Sequence, residues 1–141
     1  MAAEPPEPPR QLYPLAAAFA KEERALLAAG VSSWEQLAGL GDPELRRLSQ
    51  SGGALERQLR KLRGQARLVV DLDLEAADAA LLLYAGIGSR QALAQASPQQ
   101  LITQIGRLER SLLGMAPPRI ERATLLQWIR RAQAGPGRSW N

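Results

Sequence analysis

Apolar residues along this chain recur at intervals of three and four, and no stretch of useful length alternates with period two. The pattern predicts an all-α protein. Over residues 11–29, Leu12, Leu15, Phe19, Leu26 and Leu27 fall at helical spacing, and Gly30 supplies a stop. Ser32 or Ser33 then caps a short helix reaching Ala38, with Glu35 or Gln36 closing a capping box. Asp42 followed by Pro43 reads as a cap and a favoured first-turn proline, opening a helix over 44–49 that Ser51, Gly52 and Gly53 break. A longer helix is expected over 54–70. Its apolar stripe is Leu55, Leu59, Leu62, Ala66 and Val69, and its other face carries Arg57, Arg60, Lys61, Arg63 and Arg67.

Asp71, Asp73, Glu75 and Asp78 cluster around the start of the next helix, where carboxylates favour the positive end of the helix dipole. That helix is expected to end at Tyr84, Ala85 and Gly86, and Ile87, Gly88 and Ser89 turn into a short helix reaching Gln95. Ser97, Pro98 and Gln100 supply a cap, a first-turn proline and a box-closing side chain for a helix toward Leu113. Residues 114–118 read as a loop. A last helix over 121–134 places Leu125, Trp128, Ile129 and Ala132 on one face.

Two stretches superimpose at a spacing of 56 residues, the distance from Gly30 to Gly86. Leu27, Leu37, Ala38 and Leu45 match Leu83, Leu93, Ala94 and Leu101, while Asp42-Pro43 and Ser97-Pro98 correspond with a slip of one position. Further on, Leu59, Leu62 and Ala66 resemble Leu125, Trp128 and Ala132 in spacing. One helix, glycine turn, short helix and capped helix cannot cover its apolar stripe alone, whereas two such units facing each other can. The expectation is therefore tandem helix-hairpin-helix units with pseudo-twofold symmetry. Residues 1–10 form a disordered proline-rich leader, 11–70 the first unit with its connecting helix, 71–134 the second unit, and 135–141 a flexible tail.

Composition narrows the chemistry. The 141 residues contain no cysteine and no histidine, which removes disulfides, thiolate metal sites and the commonest general base. The acids are accounted for by helix starts, so no enzyme, cofactor or metal is expected. The net charge is +4, and of the 18 basic residues only Lys21 and Lys61 are lysines. An arginine excess suits bidentate recognition of phosphate or carboxylate, although a GC-rich coding sequence produces the same bias. The acidic, proline-rich first residues are not a secretory signal, and no apolar run is long enough to span a bilayer, so a cytoplasmic protein with no membrane partner is expected.

The stretch from Tyr84 to Ala92 has the form of a helix-hairpin-helix turn, with Gly86, Ile87 and Gly88 followed by Ser89 and Arg90. Glycines permit tight or positive-φ backbone, the apolar residue between them anchors the turn, and free amides at the start of the following helix can donate to a phosphate oxygen. Arg90 would stand beside that phosphate. The same turn also serves as plain connection between two closely packed helices. The first hairpin is the poorer candidate, because Ser32 replaces the second glycine and Trp34 follows. Arg46, Arg47, Arg57, Arg60, Lys61, Arg63 and Arg67 share a segment whose only acid is Glu56, either a solvated face or a nucleic-acid track. Trp128 is expected in the core, Trp34 over the first hairpin, and no tryptophan pair forms a stacking platform.

The repeated Ala-Gly-hydrophobe turn, the Ser/Asp-Pro helix starts and the final Trp128-Ile129-Arg130-Arg131-Ala132 resemble a bacterial family common in cyanobacteria, the domain-of-unknown-function 4332 family. Its members are described as related to the helix-hairpin-helix part of flap endonucleases. The resemblance runs from about Leu12 to Ala134 and implies a helix-hairpin-helix fold. It carries over no catalytic residue, since flap nucleases rely on a carboxylate cluster in a separate α/β domain. The expected function is a non-enzymatic module that binds DNA or RNA backbone without sequence specificity. The rival is a protein-interaction or assembly module in which the hairpins only build the core. No small-molecule substrate is expected.

Overall fold

The computed structural model describes residues 9–50, 52–113 and 120–134, with the backbone alone for residues 109 and 111–113. The expected leader up to residue 8, the 114–118 loop, Trp140 and the rest of the 135–141 tail lie outside the described residues. Among the described residues eight α-helices follow in order: α1 Ala20–Ala28, α2 Trp34–Ala38, α3 Asp42–Leu48, α4 Glu56–Leu72, α5 Ala76–Tyr84, α6 Arg90–Ala94, α7 Pro98–Leu113 and α8 Arg122–Gln133. A 3₁₀ turn, Ala17–Phe19, leads into α1. Among the described residues the one β-type feature is an isolated antiparallel bridge between Gln11 and Ser33.

That bridge marks where the helix expected over 11–29 departs from the structure. Pro14 would lack an N–H inside a helix, and the segment before it is extended instead. It runs alongside the first turn, with Leu12 N donating to Ser32 O at 3.2 Å and Trp34 N to Arg10 O at 3.0 Å. Leu12 is buried nonetheless, and Tyr13 Oη donates to Val31 O at 2.5 Å. Arg10 pins the segment by ion pairs to Glu35 at 2.8 Å and Asp73 at 2.5 Å.

The helix ends use the chemistry their sequences offer. Gly30 has φ 78° and Gly86 φ 90°, left-handed values at which an added Cβ would meet nothing within 4 Å, so conformation alone calls for glycine there. Each closes its helix with the same pair of bonds: Gly30 N to Leu27 O and Val31 N to Leu26 O, then Gly86 N to Leu83 O and Ile87 N to Leu82 O. Ser33 Oγ caps α2 by accepting from Gln36 N, and Ser89 Oγ caps α6 by accepting from Ala92 N. Asp78 lies in the first turn of α5 as expected, whereas the first two members of the acidic cluster belong to the preceding helix. Asp71 lies within α4, and Asp73 ends that helix in a left-handed conformation with φ 53°. Glu75 occupies the N-cap of α5 without a side-chain bond.

α4 is the axis of the molecule and packs against α2, α3, α5, α6 and α8. Its buried residues Leu59, Leu62, Ala66, Val69 and Leu72 share one core with Leu37 and Ala38 of α2, and α8, whose buried residues are Leu125, Trp128, Ile129 and Ala132, packs against α6. Burying one such leucine contributes about 1.5–3 kcal/mol. Leu55, expected on the stripe, is 46% exposed, because it sits at the N-cap of α4 where the stripe has not yet begun. Its amide is held by the buried carboxylate of Glu22, with Oε2 accepting at 2.9 Å.

Helix carboxyl ends are stitched by side chains from other helices. Arg67 Nε donates to Ala38 O, the last residue of α2, at 3.0 Å, and Gln133 Nε2 donates to Ala94 O, the last residue of α6, at 3.0 Å. Arg131 donates to Leu72 O at the end of α4. Terminal carbonyls lack intrahelical donors and carry partial negative charge, which is what cationic and amide donors satisfy.

Candidate nucleic-acid interface

The second hairpin begins with the closing bonds of α5, which consume the amides of Gly86 and Ile87. Ile87 is half-buried against the core, as an anchor between two glycines should be. Gly88 and Ser89 are exposed, and among the described residues their amides have no acceptor. Gly88 does not have a positive φ, and a Cβ there would meet Leu83 Cδ2 at an ordinary 3.8 Å. Only the first glycine of the pair is therefore required by conformation.

In the first hairpin the chain supplies acceptors at the counterparts of Gly88 and Arg90, while Ser33 N, the counterpart of Ser89, has none among the described residues. Ser32 N donates to Gln36 Oε1 at 2.6 Å, and Trp34 N donates to the Arg10 carbonyl. In the second, α4 takes the flanking place: a Cβ at Gly64 would lie 3.4 Å from Gly88 O and 3.5 Å from Leu83 Cδ2. A helix has no free backbone acceptor to offer sideways, so the amides of Gly88 and Ser89 stay open.

The basic face of α4 divides into engaged and free cations. Arg63 is 12% exposed and donates to Leu40 O at 3.1 Å and Asp42 Oδ1 at 2.8 Å. The hydrogen bond from Arg63, aided by Arg60, holds the Asp42 carboxyl below its ordinary range. Arg60 spans Glu56 at 3.1 Å and Asp42 at 3.5 Å. Arg67 is turned to the end of α2, where burial lowers its guanidinium from the ordinary value. Arg57 and Lys61 are exposed and, among the described residues, pair with nothing. Arg90, expected beside the turn amides, reaches the other way and donates to Ala132 O at 3.2 Å and Arg131 O at 3.0 Å. The carbonyl end of α8 competes for it successfully.

The turn seats on Gly64 of α4, on which Lys61 lies about one helical turn and Arg57 about two turns toward the amino end. The structure directs Arg60, Arg63, Arg67 and Arg90 into internal contacts. Sequence reasoning missed two neighbours of this patch: Tyr84, 66% exposed, and the buried amide of Gln65. An exposed tyrosine next to a glycine turn was a visible signal for the first. Nothing in the sequence marked the second, which reads as one more polar position of a basic helix.

Among the described residues no group of three or more acidic, histidine or cysteine side chains could hold a metal ion, and no helix is long and apolar enough to cross a membrane. Among the described residues the chain is all-α, with eight helices and its polar chemistry at helix ends, and that is the class these features define. The chain belongs to the family described as Domain of unknown function (DUF4332), whose model matches residues 16–135. No curated protein and no solved structure matches it.

Proposed function

We propose that this protein is a cytoplasmic, non-enzymatic module that binds nucleic-acid backbone without sequence specificity, through the amides of Gly88 and Ser89 and the cations Lys61 and Arg57. We further propose that it is built as two helix-hairpin-helix units related by a pseudo-twofold. That architecture is supported by the matching closures at Gly30 and Gly86, the serine caps 56 residues apart, and the Arg67 and Gln133 bonds to the ends of α2 and α6. The observation that carries the binding reading is the contrast between the hairpins. The first gives the amide of Ser32 an acceptor from Gln36, whereas the amide of its counterpart, the exposed Gly88, has none, and Gly88 packs on the helix that carries the unpaired Lys61. Phosphate oxygens are the acceptors such a corner would take, and contacts of this kind position a strand without reading its bases.

Two free cations make a short footprint. Affinity should lie in the range of non-specific binders, about 10⁻⁴–10⁻⁶ M at physiological salt, with each lost phosphate contact reducing the log-log salt slope by roughly 0.7–0.9. A salt-titrated binding assay with duplex and single-stranded DNA tests this, using the wild type, Lys61→Glu and Gly88→Glu. Salt-sensitive binding that both variants weaken is expected. Absence of salt-sensitive binding by the wild type rejects the reading.

One observation favours the rival. Of the six cations Arg57, Arg60, Lys61, Arg63, Arg67 and Arg90, the four arginines at 60, 63, 67 and 90 serve internal contacts, as they would in an assembly module whose hairpins only build the core. A protein partner whose capture survives nuclease treatment would select that alternative.

A further inference from the structure

The groove bounded by the 3₁₀ turn, α4 and α5 opens beside the second hairpin and encloses about 370 Å³. Phe19 and Leu83 give it apolar walls, Tyr84 stands at its edge with 66% exposure, and Gln58, Lys61 and Gln65 line the α4 side. Gln65 is the unusual member. It is only 9% exposed, and its Nε2 donates to Ala76 O at 2.8 Å, which orients the amide and leaves Oε1 as its acceptor. Among the described residues that oxygen accepts nothing. The oxygen itself is open to solvent, so it stands at the groove wall as a pre-positioned acceptor for a ligand N–H.

The groove therefore asks for a flat ring with an N–H on its edge, and an anionic group within reach of the unpaired Lys61 ammonium. Every nucleobase offers such an N–H, through an exocyclic amine or a ring imide, and each is attached to a phosphate. We propose that this groove seats a base of a single strand, stacked on Tyr84, with the adjoining phosphate on Lys61. This rests on the backbone-binding reading and sharpens it: a base held in a duplex cannot enter the groove, so the preferred ligand is unpaired DNA or RNA. Stacking against an aromatic side chain is tolerant of sequence, in keeping with backbone recognition.

The test is fluorescence anisotropy with labelled oligothymidylate, oligoadenylate and a duplex of equal length, using the wild type, Tyr84→Ala, Tyr84→Phe and Lys61→Glu. The exposure of Tyr84 lets its variants fold, which circular dichroism checks. Single strands should bind more tightly than duplex. Tyr84→Ala should weaken the single-strand complexes at least about fivefold, the low end of what loss of one stacked base costs. Duplex binding should stay unchanged, Tyr84→Phe should retain wild-type affinity, and Lys61→Glu should weaken both ligands. Equal affinity for duplex and single strand, or an inert Tyr84→Ala, overturns the base seat while leaving backbone binding in place. If the wild type binds neither ligand, both proposals fall, and saturable binding of an acidic aromatic peptide instead would assign the groove to a protein partner.

Discussion

Gly64 is the point where the central helix meets the second hairpin, and substitutions there report how closely the two are fitted. Its Cβ would lie 3.4 Å from Gly88 O and 3.5 Å from Leu83 Cδ2, the near edge of ordinary van der Waals contact. A single methyl is accommodated, and replacing glycine by alanine within a helix gains about 0.8–1 kcal/mol of propensity. Gly64→Ala should therefore stabilise the protein by about 0.5–1 kcal/mol, raising Tm by about 2–4 °C for a domain of this size. Gly64→Leu places further carbons where the Gly88 carbonyl and Leu83 already stand. Overpacking of this kind costs about 1–3 kcal/mol, enough to cancel the propensity gain and lower Tm by several degrees. Thermal melts followed by far-UV circular dichroism separate the two cases. An alanine variant that melts below the wild type, or a leucine variant that melts at or above it, would refute the contact on which the hairpin's seating is argued.

Other substitutions test the stitching of helix ends. Glu22→Ala should destabilise by about 1–3 kcal/mol in chemical denaturation, because Leu55 N loses its buried acceptor, whereas Glu22→Gln keeps an acceptor and should cost less. Arg67→Met retains the aliphatic stem but not the bond to Ala38 O. A loss of about 1–2 kcal/mol is expected, and nearly unchanged denaturation curves would show the cap to be dispensable. Asp42 has a lowered pKa in the folded protein, so its contribution is present above its unfolded value of 3.8 and disappears as pH falls through the folded value. The acid limb of a stability-pH profile should flatten in Asp42→Asn, and identical limbs would contradict the Arg63 pairing.

The elements legible in the sequence were those fixed by local chemistry. The left-handed glycines at 30 and 86, the serine caps at 33 and 89, and the apolar faces of α4 and α8 all depend on residues a few positions apart. The extended segment before α1 was misread because Leu12 and Leu15 continue a helical spacing, while Pro14 and the cross-chain bonds to Ser32 and Trp34 decide otherwise. Asp73 was misread because a carboxylate near a helix start looks alike whether it caps that helix or ends the previous one. For the candidate site, the turn at Gly86–Ser89 and the cation Lys61 could be named in advance. Which arginines stay free could not, since Arg63, Arg67 and Arg90 are claimed by carbonyls 23 to 42 residues away in sequence.

The carboxyl end of α4 draws on both extremities of the described chain, with Arg10 on Asp73 and Arg131 on Leu72 O. During synthesis the first of these partners precedes α4 and the second emerges long after it. The half made first consequently leaves the ribosome with that tip of its central helix held by Arg10 alone, and the second clasp comes only when α8 arrives. Maturation of the two halves is thereby coupled, and loosening either extremity should be felt at the same helical turn.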